Sequence, residues 1–204
     1  MIDLLTDCEP IALSPQQSIT NFDCGDDDLN DFFNNDAIHF RNQLLGQTYF
    51  FRMKKTEEIV CAFSLSADSI KTYLLPGSRR KKIKEFIPRE KSMQTYPALL
   101  IGRLGVSTNW NRHGIGSQLI KYIRYFCMSK HLYLARFLVV DAYNNPDVLN
   151  FYQKNDFLFV FSTEQQERDY LQKSHDDIKP LATRQMFYDM LRWKITNMDS
   201  ILYS

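Results

Sequence analysis

The chain has 204 residues, 44% of them hydrophobic and 24% charged, and this composition belongs to a globular protein with a substantial core. Its formal charge of +1 excludes a generally basic nucleic-acid binder, while leaving room for a local basic patch. Cys8, Cys24, Cys61 and Cys127 form no CxxC pair and the histidines are scattered, so the expectation is reduced, mostly buried thiols and no metal. "MIDLLTDCEPIAL" lacks a basic leader, and apolar clusters such as "ALLI" and "FLVV" fall short of the roughly 18 residues of a membrane span, so a cytoplasmic protein is expected.

Residues 2–13 suggest a strand with a bend. In "FDCGDDDLNDFFNNDAIHF" the aspartates at 26–28 suit a helix N-terminus. Behind them Leu29, Phe32, Phe33, Ala37 and Phe40 recur at helical spacing, which predicts an amphipathic helix to about Leu44. "TYFFRM" and "EIVCAFSLSA", rich in aromatic and β-branched residues, predict a hairpin turning through "KKTEE". The basic stretch 78–91 predicts a short helix and a loop ended by Pro88. "PALLIGRLGV" has the character of a buried strand. From Gly114, a stripe of Ile115, Leu119, Ile120, Ile123, Phe126 and Cys127 predicts a helix. "RFLVVDAY" is a further buried strand, "NPDVLNFYQK" a short helix with Pro146 in its first turn, and "FLFVF" another strand. Residues 164–179 suggest helix and loop, and "RQMFYDML" a last strand. Helices alternating with strands in the second half predict a partly parallel sheet, and the hairpin in the first half an antiparallel one: a mixed α/β (α+β) sheet in a single domain, 1–204.

Two of only seven glycines, Gly114 and Gly116, stand where the helix after "STNWNR" begins. A helix start offers unpartnered amides and the positive end of the dipole, and glycine lets a phosphate approach the backbone. Arg112 adds a cation and Ser117 a hydroxyl. Neither the GK[ST] ending of a Walker loop nor a third glycine of the dinucleotide fingerprint is present. On spacing alone the loop is either a phosphate cradle or a turn that packs helix against strand.

Taken together, "LIGRLGV", "NRHGIG" and "NPDVLNFYQKNDF" resemble the GNAT acetyltransferase superfamily, best over about 98–160. Asn111-x-x-Gly114-x-Gly116 matches that family's Gln/Arg-x-x-Gly-x-Gly/Ala loop except at its first position, and Asn145, Phe151, Tyr152, Lys154 and Phe157 match its later segment. Val148 stands where Ala is usual, and Asp156 where Gly is usual; Asp is among the few residues that tolerate a left-handed turn. The resemblance implies a GNAT-like mixed, splayed β-sheet flanked by helices and acetyl-CoA as the acyl donor. Leu104, Gly105 and Val106 would hold the pantetheine arm through their backbone. Asn111, Arg112, His113, Gly114, Ile115, Gly116 and Ser117 would hold the pyrophosphate, and Asn145 would sit near the cofactor. Tyr152 would protonate the departing CoA thiolate, as a phenol with an ordinary pKa of about 10 can do at neutral pH. From its own helix alone, where Val148, Phe151 and Tyr152 share a face, Tyr152 reads as a packing aromatic; the loop upstream turns the reading to an acid.

Ser107 stands where the family often carries an acidic base. An α-amine, with a pKa of about 8, suits a site without a strong base better than a lysine at about 10.4. "FDCGDDDLNDFF" resembles the opening of the toxin-type GNAT subgroup, whose members acetylate aminoacyl-tRNA and are neutralised by an antitoxin; the same residues also describe a capped helix whose Phe and Leu line a core. Arg79, Arg80, Lys81, Lys82, Lys84, Arg89 and Lys91 against Glu85 and Glu90 would serve an RNA backbone, an acidic antitoxin segment or simply a solvated face. The expected partners are therefore acetyl-CoA, tRNA through 79–91 and an antitoxin, with a homodimer also open and no membrane. The alternatives are a small-molecule or protein amine acetyltransferase, and a non-catalytic acyl-CoA-binding module.

Overall fold

The computed structural model describes residues 2–85, 87, 93–129, 135–174 and 179–192. Its packing forms two compact units, Met1–Ala67 with Ile101–Cys127 and Asp68–Leu100 with Met128–Ser204.

The first unit opens with a departure from the expected strand. Asp3 accepts the amides of Leu5 and Thr6 at 2.9 and 3.0 Å, and this cap winds Leu4–Asp7 into a one-turn helix, α1, ahead of β1 (Cys8–Ala12). The expected helix from Asp26 is present in three pieces: α2 (Asp27–Asp31), a π-helical turn at Phe32–Asp36, and α3 (Ala37–Asn42). The wider π turn lets the adjacent Phe32 and Phe33 both enter the core with Leu13, Ile19, Phe22, Phe50 and Ala62. The run stops at Asn42, and Leu44 follows in the left-handed region at φ 60°, its side chain in solvent.

The hairpin is as expected, with β2 (Gln47–Met53) antiparallel to β3 (Ile59–Lys71) and a register shift at Phe51/Arg52. Strand β4 (Thr95–Val106) contributes its second half to this unit, where the strand order is β1-β2-β3-β4. Helix α5 (Ile115–Ser129) buries Ile115, Leu119, Ile120, Ile123 and Cys127, as its stripe predicts. Each such aliphatic side chain contributes roughly 1.5–3 kcal/mol of transfer free energy. Tyr122 on α5 meets Phe51 edge-on at 4.7 Å, and Phe126 meets Tyr49 at 5.0 Å.

In the second unit the order is β4-β5-β7-β6. Only Ala98–Leu100 of β4 and Phe137–Val139 of β5 (Phe137–Tyr143) pair in parallel. Strand β7 (Thr183–Asp189) runs antiparallel along the whole of β5 and pairs with the two-residue β6 (Leu158–Phe159). The sheet is therefore more antiparallel than the alternation of helices and strands implies, because the last strand inserts between β5 and β6. Helices α6 (Pro146–Lys154) and α7 (Glu164–Tyr170) sit where expected. Ile70, Leu75, Ile83, Tyr96, Phe137, Val139, Phe161 and Phe187 form this unit's core. Arg136 closes on Asp189 through two hydrogen bonds of 2.6 and 2.8 Å.

The described part of the basic stretch folds into α4 (Gly77–Ile83), and several of its charged groups have partners within the fold. Arg79 donates to the Val160 carbonyl at 2.9 Å and to that of Phe159, and Arg80 to those of Thr72, Tyr73 and Leu75. Lys82 pairs with Glu85 at 2.9 Å and Lys84 lies over the Tyr96 ring. Lys81 is exposed, while Pro88, Arg89, Glu90 and Lys91 lie outside the described residues. Among the described residues no helix is long and apolar enough to cross a membrane, and no group of His, Cys, Asp and Glu has the makings of a metal site.

Candidate functional site

The glycine loop lies in the first unit and is built on the end of β4. Ser107 N–H donates to the Val60 carbonyl and Thr108 N–H to the Asp23 carbonyl, both at 2.9 Å. A short 3₁₀ turn, Thr108–Trp110, leads into Asn111. Arg112 and Gly114 both adopt left-handed backbone, at φ 62° and 77°. For Gly114 that conformation is free of the Cβ penalty, and a Cβ placed there would meet no atom within 4 Å. The backbone is thus bare and open at the point where the helix starts. The helical bonding of α5 opens from Gln118 N–H to the Gly114 carbonyl at 3.2 Å, so the amides of Ile115, Gly116 and Ser117 precede it. Arg112, His113 and Gly114 are exposed and Ile115 is buried. Positive dipole, forward-facing amides, an open glycine and a neighbouring guanidinium fit a pyrophosphate.

The "FDCG" stretch meets this loop directly. Asn30 receives the Cys24 amide at 2.8 Å, and Asn34 receives that of Phe22 at 2.9 Å. Asp23 takes the amide of Gly25, which is left-handed at φ 80°. These bonds fasten the stretch to the start of α2. A Cβ on Gly105 would lie 3.1 Å from Phe22 and 3.2 Å from the Cys24 sulfur, so a side chain there would crowd this segment. Cys24 is half-buried and desolvation raises its thiol pKa, which leaves it a weak nucleophile. Burial pushes the Cys8 thiol up to about 11 and the Cys127 thiol to about 12; all four cysteines are unpaired and protonated at neutral pH.

Asn145 and Tyr152 belong to the second unit. Asn145 is exposed and serves as the N-cap of α6, its Oδ1 accepting Val148 N–H at 3.0 Å. Tyr152 faces inward, 6% exposed, with its ring 5.0 Å from Phe151 and 5.3 Å from Phe157. Desolvation raises its phenol pKa well above the ordinary value, so it keeps its proton at neutral pH. Asp156, in the usual glycine position, is left-handed at φ 60°, as the substitution suggests.

One contributor has no local signature in sequence. Glu58, after the β2–β3 turn, accepts Asn109 Nδ2 at 2.8 Å and Trp110 Nε1 at 3.2 Å through one oxygen. Glu58, Ser107, Thr108, Asn109, Phe22 and Asp23 also line an open groove of about 550 Å³.

Residues 84–157 match the family model of the Acetyltransferase (GNAT) family. The chain is similar over 93% of its length to AtaT complexed with acetyl-methionyl-tRNAfMet, with 16% identity, 99% of that chain covered and a TM-score of 0.70. It is similar over 94% to a Tyr-to-Phe mutant of KacT, with 19% identity, 99% covered and a TM-score of 0.67. AtaTR bound with acetyl-CoA matches over 93% of this chain and 98% of its own, with 16% identity and a TM-score of 0.67. The family match runs through the glycine loop at the start of α5 to Phe157, so residues 84–157 are similar to a GNAT-family acetyltransferase domain, and the chain is an acyltransferase that uses acetyl-CoA.

Proposed function

We propose that the chain moves the acetyl group of acetyl-CoA to the α-amine of an aminoacyl-tRNA, as the toxin of a toxin–antitoxin pair. The observation that carries the reading is the junction of the two motifs, where the "FDCG" stretch holds the start of the loop through Asp23 and Thr108. The nearly full-length likeness to AtaT in complex with acetyl-methionyl-tRNAfMet supports it. So does a Tyr-to-Phe mutant of AtaT bound to the C-terminus of the antitoxin AtaR and acetyl-CoA, similar over 94% of this chain and 99% of its own at 15% identity and a TM-score of 0.64. We take 1–204 as one functional domain, because β3 and β4 each run through both units.

Acetyl-CoA supplies an activated acyl thioester. In this reading the amides of residues 111–117 hold its pyrophosphate, with Arg112 adding charge, and the backbone of Leu104, Gly105 and Val106 aligns its arm. Asn145 lies at the helix start near the cofactor. Tyr152 holds a proton at its phenol oxygen and gives it to the leaving sulfur as the amine nitrogen forms its bond to the acyl carbon. The amine's own proton goes to solvent, a loss that an α-amine of pKa about 8 accepts without a strong base. Charged tRNA meets the exposed part of the 79–91 stretch, with Lys81 as its described contact, and an antitoxin covers the same region.

The test is an acceptor comparison with labelled acetyl-CoA and charged tRNA, uncharged tRNA, polyamines or peptides. Label on charged tRNA alone is expected. Label on polyamine or peptide with none on charged tRNA would replace this reading with a small-molecule or protein acetyltransferase. Tight acetyl-CoA binding without any labelled acceptor would leave a non-catalytic module.

A further inference from the structure

We propose that Glu58 is the positioning residue of the pyrophosphate loop, an inference that rests on the assignment of residues 111–117 as the acetyl-CoA cradle. The start of the loop is fixed by backbone bonds, Ser107 to Val60 and Thr108 to Asp23. Beyond Thr108 the backbone bonds are local to the turn, Trp110 N–H to the Ser107 carbonyl at 2.8 Å and Asn111 N–H to that of Thr108 at 3.4 Å, and the tether to another element is a side chain. One oxygen of Glu58 accepts both Asn109 Nδ2, at 2.8 Å, and the Trp110 indole N–H, at 3.2 Å. Hydrogen bonds to a carboxylate are stronger than those between neutral groups. Trp110 passes the constraint on, its ring set edge-on to His113 at 6.1 Å, and His113 Nδ1–H donates to the Asn111 carbonyl at 2.8 Å. The chain of contacts thus runs from Glu58 through Trp110 and His113 to Asn111, the residue that opens the cradle.

Two properties of the loop make such a tether necessary. Arg112 is held at φ 62°, a conformation an L-residue with a Cβ adopts only when its surroundings impose it. The amides that follow must also point forward together, and a small misalignment forfeits several weak bonds to one anion at once. Glu58 itself is rigidly placed, because its carbonyl accepts Met53 N–H at 2.8 Å across the β2–β3 turn. A carboxylate beside an anion site would otherwise be a liability. Here its charge is directed at two N–H donors.

The experiment compares kcat and KM for acetyl-CoA and for S-acetylpantetheine, a donor without the pyrophosphate, in the wild type, Glu58→Ala, Glu58→Gln and Trp110→Phe. Melting temperatures are measured alongside. Glu58→Ala should raise KM for acetyl-CoA about tenfold, the scale of a lost hydrogen bond to a charged group, with kcat nearly unchanged. KM for S-acetylpantetheine should stay as in the wild type. Glu58→Gln keeps an acceptor oxygen and should recover most of the loss, while Trp110→Phe keeps a ring without the donor and should show a smaller rise. Equal losses with both donors, or unchanged KM for acetyl-CoA in the variants that remain folded, would overturn the proposal. A wild type that does not distinguish the two donors would instead refute the cradle assignment on which it rests.

Discussion

A phenol is useful as an acid only while it holds its proton, and burial of Tyr152 among Phe151 and Phe157 secures that. Desolvation acts in the same direction on Asp141 of β5, which is more exposed. Its carboxyl pKa is raised, first by desolvation and then by the neighbouring charge of Asp68, against a hydrogen bond from Gln185 that lowers it. The folded chain therefore binds this proton more tightly than the unfolded one. Stability from Asp141 is fully present below the unfolded pKa, about 3.9, and is lost as pH rises through the higher folded value. Asp141→Asn should raise the melting temperature at pH 7, with the gain shrinking toward pH 3; a gain that grows with acidity would reverse the sign of this argument. At this scale the sequence is an uneven guide. Asp156 is legible as a left-handed residue because only a few side chains tolerate that backbone. Glu58 is not, because it acts on Asn109 from 51 residues away and no local pattern marks it.

Among the elements, caps and stripes were readable and tertiary insertions were not. Asp26 does cap the helix that the acidic run suggests, and the α5 stripe is the face it buries. The one-turn α1 is hidden in the sequence because its only signal is the cap at Asp3, against an apolar pattern short enough to suit either structure. The position of β7 between β5 and β6 depends on long-range pairing, which chain order does not encode. Helix α4 shows the limit of counting charge: Arg79 and Arg80 are already bonded to backbone carbonyls within the fold. Asn145 stands between the structural and functional readings. As an N-cap its loss should cost about 1 kcal/mol. Asn145→Ala is expected to lower the melting temperature and also raise KM for acetyl-CoA; a lower melting temperature with unchanged kinetics would leave it a cap alone.

For the whole molecule, the glycine loop and the buried tyrosine fall in different units of the fold, while both lie within residues 84–157, the stretch that the family match covers. The acyl donor is legible because its proposed cradle is a short contiguous stretch with glycines at fixed offsets. The acceptor was less so, since its recognition rests on surface distributed along the chain. The central claim is acetyl transfer from acetyl-CoA to a charged tRNA with Tyr152 as the acid. Its most direct test follows release of the CoA thiol together with acetylation of aminoacyl-tRNA, in the wild type and in Tyr152→Phe. The account predicts equal amounts of thiol and acetylated α-amine in the wild type. It predicts a fall in kcat of about 100-fold or more in the variant, with KM for acetyl-CoA little changed. Wild-type turnover rates in Tyr152→Phe, or thiol release without acetylated aminoacyl-tRNA, would contradict it.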